Sequence, residues 1–167
     1  PSYRVYFSND EKIDIPADYE SLKELFESLE EGSGLKLDEF LKQAEEKYKV
    51  GINNLVYKPG LSVTEFMNYE TISGALKLDI FKSMHTHIRK FFKNEKLIKL
   101  LEFPILFLGA TPKNTPALYS LMNYADIKLG TWYPEGGFSK VIDGMVELAK
   151  EKGVKFYNNE EEKRFSY

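Results

Sequence analysis

Between residues 100 and 145 the chain carries, in close succession, a dense apolar run, a Thr-Pro pair, the single tryptophan and a Gly-Gly pair. That order restricts the fold more than any other feature. The apolar run over 98–110 is broken by Lys99, Glu102 and Pro104. A membrane-spanning helix needs about 20 consecutive apolar residues, so this run does not span. Pro104 bends or ends the helix that precedes it, because its ring blocks the next turn and removes a donor. Thr115-Pro116 reads as a helix start, with Leu118, Leu121, Met122 and Ala125 on the inward face. Residues 128–133 read as a strand. Gly136-Gly137 then turns the chain into a helix bearing Val141, Ile142, Met145 and Ala149, closed by Lys150, Lys152 and Gly153. Residues 154–157 read as a last strand.

Upstream, residues 3–7 and 12–15 alternate β-forming side chains around a Ser8-Asn9-Asp10 turn, which predicts a hairpin. Asp18 caps a helix with Tyr19, Leu22, Leu25, Phe26 and Leu29 on one face. Gly32 and Gly34 separate it from a longer helix with Leu37, Phe40, Leu41, Ala44 and Tyr48 at helical spacing. Residues 57–60 form the clearest loop, and 62–66 read as a capped helix start. Residues 72–81 show no single period. Met84, Ile88, Phe91 and Phe92 make a further helical stripe, and Asn94 caps a helix that runs to about Phe103. Many helices with a few short strands in a small mixed or antiparallel sheet define an α+β fold.

Composition narrows the chemistry. The apolar share is 43% and the aromatic share 14%, enough for a sizeable core, so bulk disorder is excluded. Net charge is −3 with both signs interspersed, which argues against a nucleic-acid partner. No cysteine is present, so there is no thiolate ligand, Cys nucleophile or disulfide. No GxGxxG, Walker loop, HExxH or GxSxG occurs. His85 and His87 lie two apart, so a helix sends them to different faces and no metal site is expected; both read as surface imidazoles. The chain opens on Pro1 with no leader segment, as a fragment would.

Three groups of residues could carry function. Asp79 and Lys82, three apart, form either an exposed ion pair or a proton-handling pair at the mouth of an apolar cavity. Phe103, Leu106, Phe107, Tyr119, Trp132 and Tyr133 form either ordinary core or the wall of an apolar ligand site. Met67, Met84, Met122 and Met145 add deformable apolar surface. Gly136 and Gly137 make either a tight turn or an anion-facing helix start. Arg89, Lys90 and Lys93, with Lys82, give a local basic surface.

The segments YRVYFSNDEKIDIPAD, VYKPGLSVTEF and FKSMHTHIRKFFKNEKLIKLLEF, and above all LLEFPILFLGATPKNTPALYSLMNYADIKLGTWYPEGGFSKVIDGMVELAKEKGVKF, resemble bacterial phytoene desaturases, members of the flavin-dependent carotenoid desaturases. The resemblance reaches about Phe156. It looks nearer to phytoene desaturases than to the related ketolases, isomerases or later-acting desaturases. Family members are roughly three times longer and carry flavin-binding segments before and after this region.

The resemblance therefore implies the substrate-binding, membrane-facing domain of an amine-oxidase-like flavoenzyme over 1–159, with a charged, non-native tail at 160–167. It implies FAD in the full-length parent and none in this chain, which would be inactive alone. The implied partners are phytoene or a related carotenoid hydrocarbon, a membrane surface and the missing FAD-binding segments. The implied setting is the cytoplasmic side of the cytoplasmic membrane, with self-association of the excised part.

In that reading the flavin accepts a hydride from phytoene and a neighbouring carbon loses a proton, handled by Asp79 and Lys82. Gly136 and Gly137 lie near the flavin, and Arg89, Lys90 and Lys93 meet anionic headgroups. A free-standing apolar-ligand or membrane-surface module is the alternative reading, and a plain helical scaffold is a third.

Overall fold

The computed structural model describes residues 2–52, 79 and 81–159. The expected loop at 57–60, the helix start at 62–66, Met67, most of 72–81 and the tail at 160–167 lie outside the described residues. The fold is α+β: helices dominate and one two-stranded antiparallel sheet accompanies them. The chain divides into two compact units, Pro1–Thr131 and Trp132–Tyr167.

In the first unit, β1 (Tyr3–Tyr6) pairs with β2 (Lys12–Ile15) in the register Tyr3↔Ile15 to Tyr6↔Lys12. Alternation puts Tyr3, Val5, Ile13 and Ile15 on the face that packs against the core. α1 (Tyr19–Leu29) begins where the Asp18 carboxylate accepts the Ser21 N–H, and it buries Leu22 and Phe26. α2 (Ser33–Val50) starts after Gly32, whose φ of 74° suits glycine and which offers no capping side chain. Glu27 supplies the missing cap from α1: its carboxylate accepts the N–H groups of Gly32 and Gly34 at 2.6 and 3.0 Å. α3 (Met84–Ile88) is capped by Ser83 and α4 (Glu95–Glu102) by Asn94.

The core gathers Phe26, Leu37, Phe40, Leu41, Met84, Ile88, Phe92, Leu97, Ile98, Leu101 and Ile105. The Phe92 ring meets Phe26 edge-on at 5.7 Å and Phe40 at 6.2 Å, tying α1 and α2 to the segment after α3. Glu30 ties the same elements through polar contacts. Its carboxylate accepts the backbone N–H groups of Lys93 and Asn94 at 2.8 and 2.9 Å and pairs with Lys36 at 2.8 Å. Replacing Glu30 with alanine would leave those donors bare. The expected cost is about 2 kcal/mol, with Glu30→Gln less damaging, read from urea-unfolding midpoints.

Pro104 opens a 3₁₀ turn over Phe103–Leu108 that ends at Gly109, φ 63°. The Thr115-Pro116 start differs from expectation. The first turn, Ala117–Ser120, is 3₁₀, followed by α5 (Leu121–Tyr124) and a π turn over Ala125–Leu129. The Thr115 hydroxyl does not cap it but donates backwards to the Thr111 carbonyl at 2.8 Å. A 3₁₀ turn repeats every three residues, so Ala117 and Ser120 are its buried positions, and Asn123 is the buried residue of α5. Leu118, Leu121, Met122 and Ala125, expected inward on a 3.6-residue period, are only half-buried.

The strands expected at 128–133 and 154–157 are not present. Residues up to 129 are helical, and 130–134 and 154–158 are irregular. A strand needs a hydrogen-bonded neighbour, and among the described residues none pairs with either segment.

In the second unit, Gly136 and Gly137 have φ of 80° and 87° and lead into α6 (Phe138–Glu151). The Tyr133 and Phe138 rings meet edge-on at 5.2 Å across this turn. Gly153, φ 85°, follows the helix, and Val154 N–H returns to the Ala149 carbonyl as the expected stop requires. None of the α6 side chains is buried, and Val141, Ile142, Met145 and Leu148 face solvent.

Candidate functional site

Among the described residues, two cavities of similar volume share no lining residue, one apolar and one polar. The apolar one is an open groove of about 580 Å³ between the hairpin and the end of α4. Tyr3, Val5 and Phe7 form one wall, and Leu100, Phe103 and Leu106 the other. Tyr3 and Phe103 stack at 6.1 Å, and Phe103 meets Phe107 edge-on at 5.6 Å. Leu106 and Phe107 are 64% and 75% exposed, so the run divides: Ile98, Leu100, Leu101 and Ile105 join the core while Leu106 and Phe107 face outward. Pro104 stops the α-helical repeat and the chain continues as a 3₁₀ turn that buries Pro104 and Ile105.

Of the six expected apolar-wall residues, Phe103, Leu106 and Phe107 are brought together. Tyr119 packs against the core instead. Trp132 and Tyr133 belong to the second unit and are exposed.

The polar cavity, also about 580 Å³, is lined by Lys36, Glu39, Gln43, Asp79, Lys82, His87, Lys90 and Phe91. Asp79 and Lys82 pair at 2.6 Å, as their spacing predicted. They pair across a turn rather than along a helix, and Asp79 sits at φ 52°. The cavity they line is charged, not apolar, and it shares no residue with the groove above.

Two residues that sequence reading passed over complete this cluster. His87 is only 2% exposed, so it is not a surface imidazole; α3 turns it inward against the Phe40 and Phe91 rings. Lys47 is 3% exposed. Its ammonium donates to the Ala117 carbonyl at 3.2 Å, Ser120 Oγ at 3.3 Å and His87 Nε2 at 3.3 Å, and lies 3.4 Å from Asp79 Oδ2. The one signal available was periodicity: Lys47 falls on the buried stripe of Leu37, Phe40 and Ala44, where a charge is out of place.

An ammonium can only donate, so His87 Nε2 accepts and its proton sits on Nδ1, facing Asp79 Oδ2 at 4.0 Å. Burial and the Lys47 charge push the His87 pKa down to about 4. Burial also lowers the Lys47 pKa, opposed by Asp79. Burial pushes Asp79 upward, but Lys82, Lys47 and His87 outweigh it and hold the carboxyl below its ordinary range.

His85 behaves differently. Its Nδ1 meets Glu102 at 2.8 Å and its Nε2 accepts from Arg89, linking α3 to α4. Arg89 also grips Glu95 through two hydrogen bonds, at 2.6 and 2.8 Å, so its guanidinium is already engaged. Lys90 and Lys93 are exposed. No group of His, Asp or Glu among the described residues has metal-holding geometry, and no described helix is long and apolar enough to cross a membrane.

A flavin dinucleotide needs a strand, a glycine-rich turn and a helix whose free N–H groups face the pyrophosphate. The Gly136-Gly137 turn precedes a helix but follows irregular backbone, and a side chain at Gly136 would meet only the flexible Lys140 stem. The described residues therefore do not form an FAD cradle by themselves.

No protein-family model matches the chain. Individual relatives do. A carotenoid 3,4-desaturase from Haloarcula japonica is 32% identical over 99% of the chain, which covers 34% of that protein. A phytoene desaturase from Cercospora nicotianae is 30% identical over 93% of the chain, covering 25% of it. A 4,4'-diapophytoene desaturase (4,4'-diaponeurosporene-forming) from Staphylococcus aureus is 30% identical over 95% of the chain, covering 32% of it. The chain thus spans about a third or less of the length of these relatives. A carotenoid 3,4-desaturase matches at 32% and phytoene desaturases at 30% or below, so the similarity does not favour the enzymes named for phytoene. Over nearly all of its own length, the chain belongs with the carotenoid and phytoene desaturases.

Proposed function

We propose that this chain is the substrate-binding part of an FAD-dependent desaturase acting on phytoene or a related carotenoid hydrocarbon. The observation that carries the reading is the near full-length similarity to enzymes whose names all specify polyene substrates. The exposed apolar wall of Phe103, Leu106 and Phe107 supports it, because a hydrocarbon offers no polar handle and is held by shape and burial alone. Trp132 and Tyr133, exposed in the second unit, are proposed as further substrate contacts in the full-length enzyme. FAD belongs to the sequence that the relatives carry beyond the matched region, with the Gly136-Gly137 turn approaching it. Alone, the chain is inactive.

Asp79 and Lys82 are the proposed proton-handling pair. An ionised carboxylate accepts the released proton, its lowered basicity makes it pass that proton on, and Lys82 steadies the charge. The substrate reaches the groove from the cytoplasmic face of a membrane. Lys90 and Lys93 meet its anionic headgroups, each contributing about 1 kcal/mol, and Arg89 contributes less because Glu95 already holds it. The bared apolar surface drives self-association.

A coloured carotenoid tests the groove directly, since it acquires circular dichroism when a chiral site holds it. Wild type should induce a saturable signal, and Leu106→Asp with Phe103→Asp should abolish it; an unchanged signal in that variant would refute the assignment. For the membrane, sedimentation with anionic vesicles should fall several-fold in Lys90→Glu/Lys93→Glu, and equal binding would remove that part of the proposal.

A further inference from the structure

Four positive side chains and one imidazole surround or back the polar cavity, yet only Lys47 and His87 among them are buried. Their contacts converge on a single acceptor. Asp79 Oδ1 takes Lys82 at 2.6 Å, while Oδ2 faces Lys47 at 3.4 Å and His87 Nδ1 at 4.0 Å. Lys47 is itself held by the Ala117 carbonyl and Ser120 Oγ, and His87 is held between Phe40 and Phe91. Buried groups from α2 and α3 therefore face one carboxylate oxygen, with the 117–120 turn holding Lys47 from behind, and the exposed Lys82 meets the other.

We propose that Lys47 and His87 are positioning residues that fix the Asp79 carboxylate, with Lys47 setting its place through Oδ2 and Lys82 pairing with Oδ1 at the exposed cavity mouth. This rests on the reading of Asp79 as the proton-handling group. An exposed Asp–Lys pair is loose and screened, so a reacting carboxylate needs a second, buried anchor to keep one orientation. Lys47 is such an anchor, because its ammonium is fully enclosed and pinned on its other sides. His87 completes it: held neutral, it accepts from Lys47 and presents Nδ1–H towards the carboxylate without adding a second buried cation. Lys36, Lys90 and Glu39 also line the cavity and act on Asp79 only through space.

The test is a carboxyl-carbon NMR titration of Asp79 in the isolated chain. Asp79 should titrate below the free-carboxylate range in wild type and about one pH unit higher in Lys47→Met, with a shift at least as large in Lys82→Met, since Lys82 makes the closer contact. Equal midpoints in wild type and Lys47→Met would overturn the proposal. A second measurement needs no titration: the Asp79 carboxyl-carbon resonance at about pH 7 should move in Lys47→Met, and an unmoved resonance would overturn it too. Neither readout depends on desaturation. The underlying reading is tested separately, by replacing the matched region of the Haloarcula enzyme with this chain and comparing it with its Asp79→Asn form. Undiminished turnover there would remove the proton-handling role while leaving the clamp intact.

Discussion

Asp79→Ala is expected to destabilise the chain by about 3 kcal/mol, whereas Lys47→Met should cost only about 1 kcal/mol, as read from urea-unfolding midpoints. The two changes break the same 3.4 Å contact, so a contact-counting argument predicts equal losses. Desolvation makes them unequal. Lys47 is 3% exposed, and removing Asp79 leaves its ammonium buried beside neutral acceptors with no counter-charge among the described residues. Removing Lys47 instead takes away the buried charge itself. Asp79 keeps Lys82, Ser120 Oγ keeps its bond to the Ala117 carbonyl at 2.8 Å, and a methionine stem fills the same channel. The residual cost is the acceptor left open at His87 Nε2. Equal losses in the two variants would show that the Lys47 ammonium is hydrated rather than enclosed.

The second large effect is on acid stability. In the unfolded chain His87 takes up a proton as pH falls through its ordinary value of 6.5, but in the folded chain only near 4. Between those values the unfolded state binds more protons, so stability falls as pH drops across that window and is unaffected by this group above it. The full penalty is about 3 kcal/mol, since each pH unit of separation corresponds to about 1.4 kcal/mol. Groups facing the imidazole set the sign: burial and Lys47 lead, Asp79 opposes, and Lys90 and Lys82 add to the depression. His87→Leu should remove this slope. The difference in unfolding free energy between wild type and His87→Leu should therefore change steadily between pH 6.5 and 4 and be constant above pH 7. A difference that does not vary with pH would mean that the ring titrates alike in the folded and unfolded chains. Lowered carboxylates such as Asp38 and Glu27 also lose their contribution in acid, but they do so equally in both proteins.

Where local chemistry is decisive, the sequence was sufficient. The hairpin follows from alternation and a polar turn. α1 and α4 follow from Asp18 and Asn94, whose side chains accept backbone N–H groups within the next turn. Gly153 ends α6 and Pro104 ends α4 for reasons contained in a few residues. The family was also legible, in the segments quoted from the sequence and in particular the stretch over 100–156. Tertiary structure alone decided the rest. Residues 128–133 and 154–157 have strand composition, but a strand exists only with a partner, and composition does not supply one. Ser120 is buried because a 3₁₀ turn puts it on the same face as Ala117, a choice made by the packing of 117–120 rather than by its side chains. Lys47 and His87 lie 40 positions apart and meet at 3.3 Å only when α2 packs against α3. No local rule brings a lysine on one helix to a histidine on another; the burial of the aromatic core around Phe40 and Phe92 does.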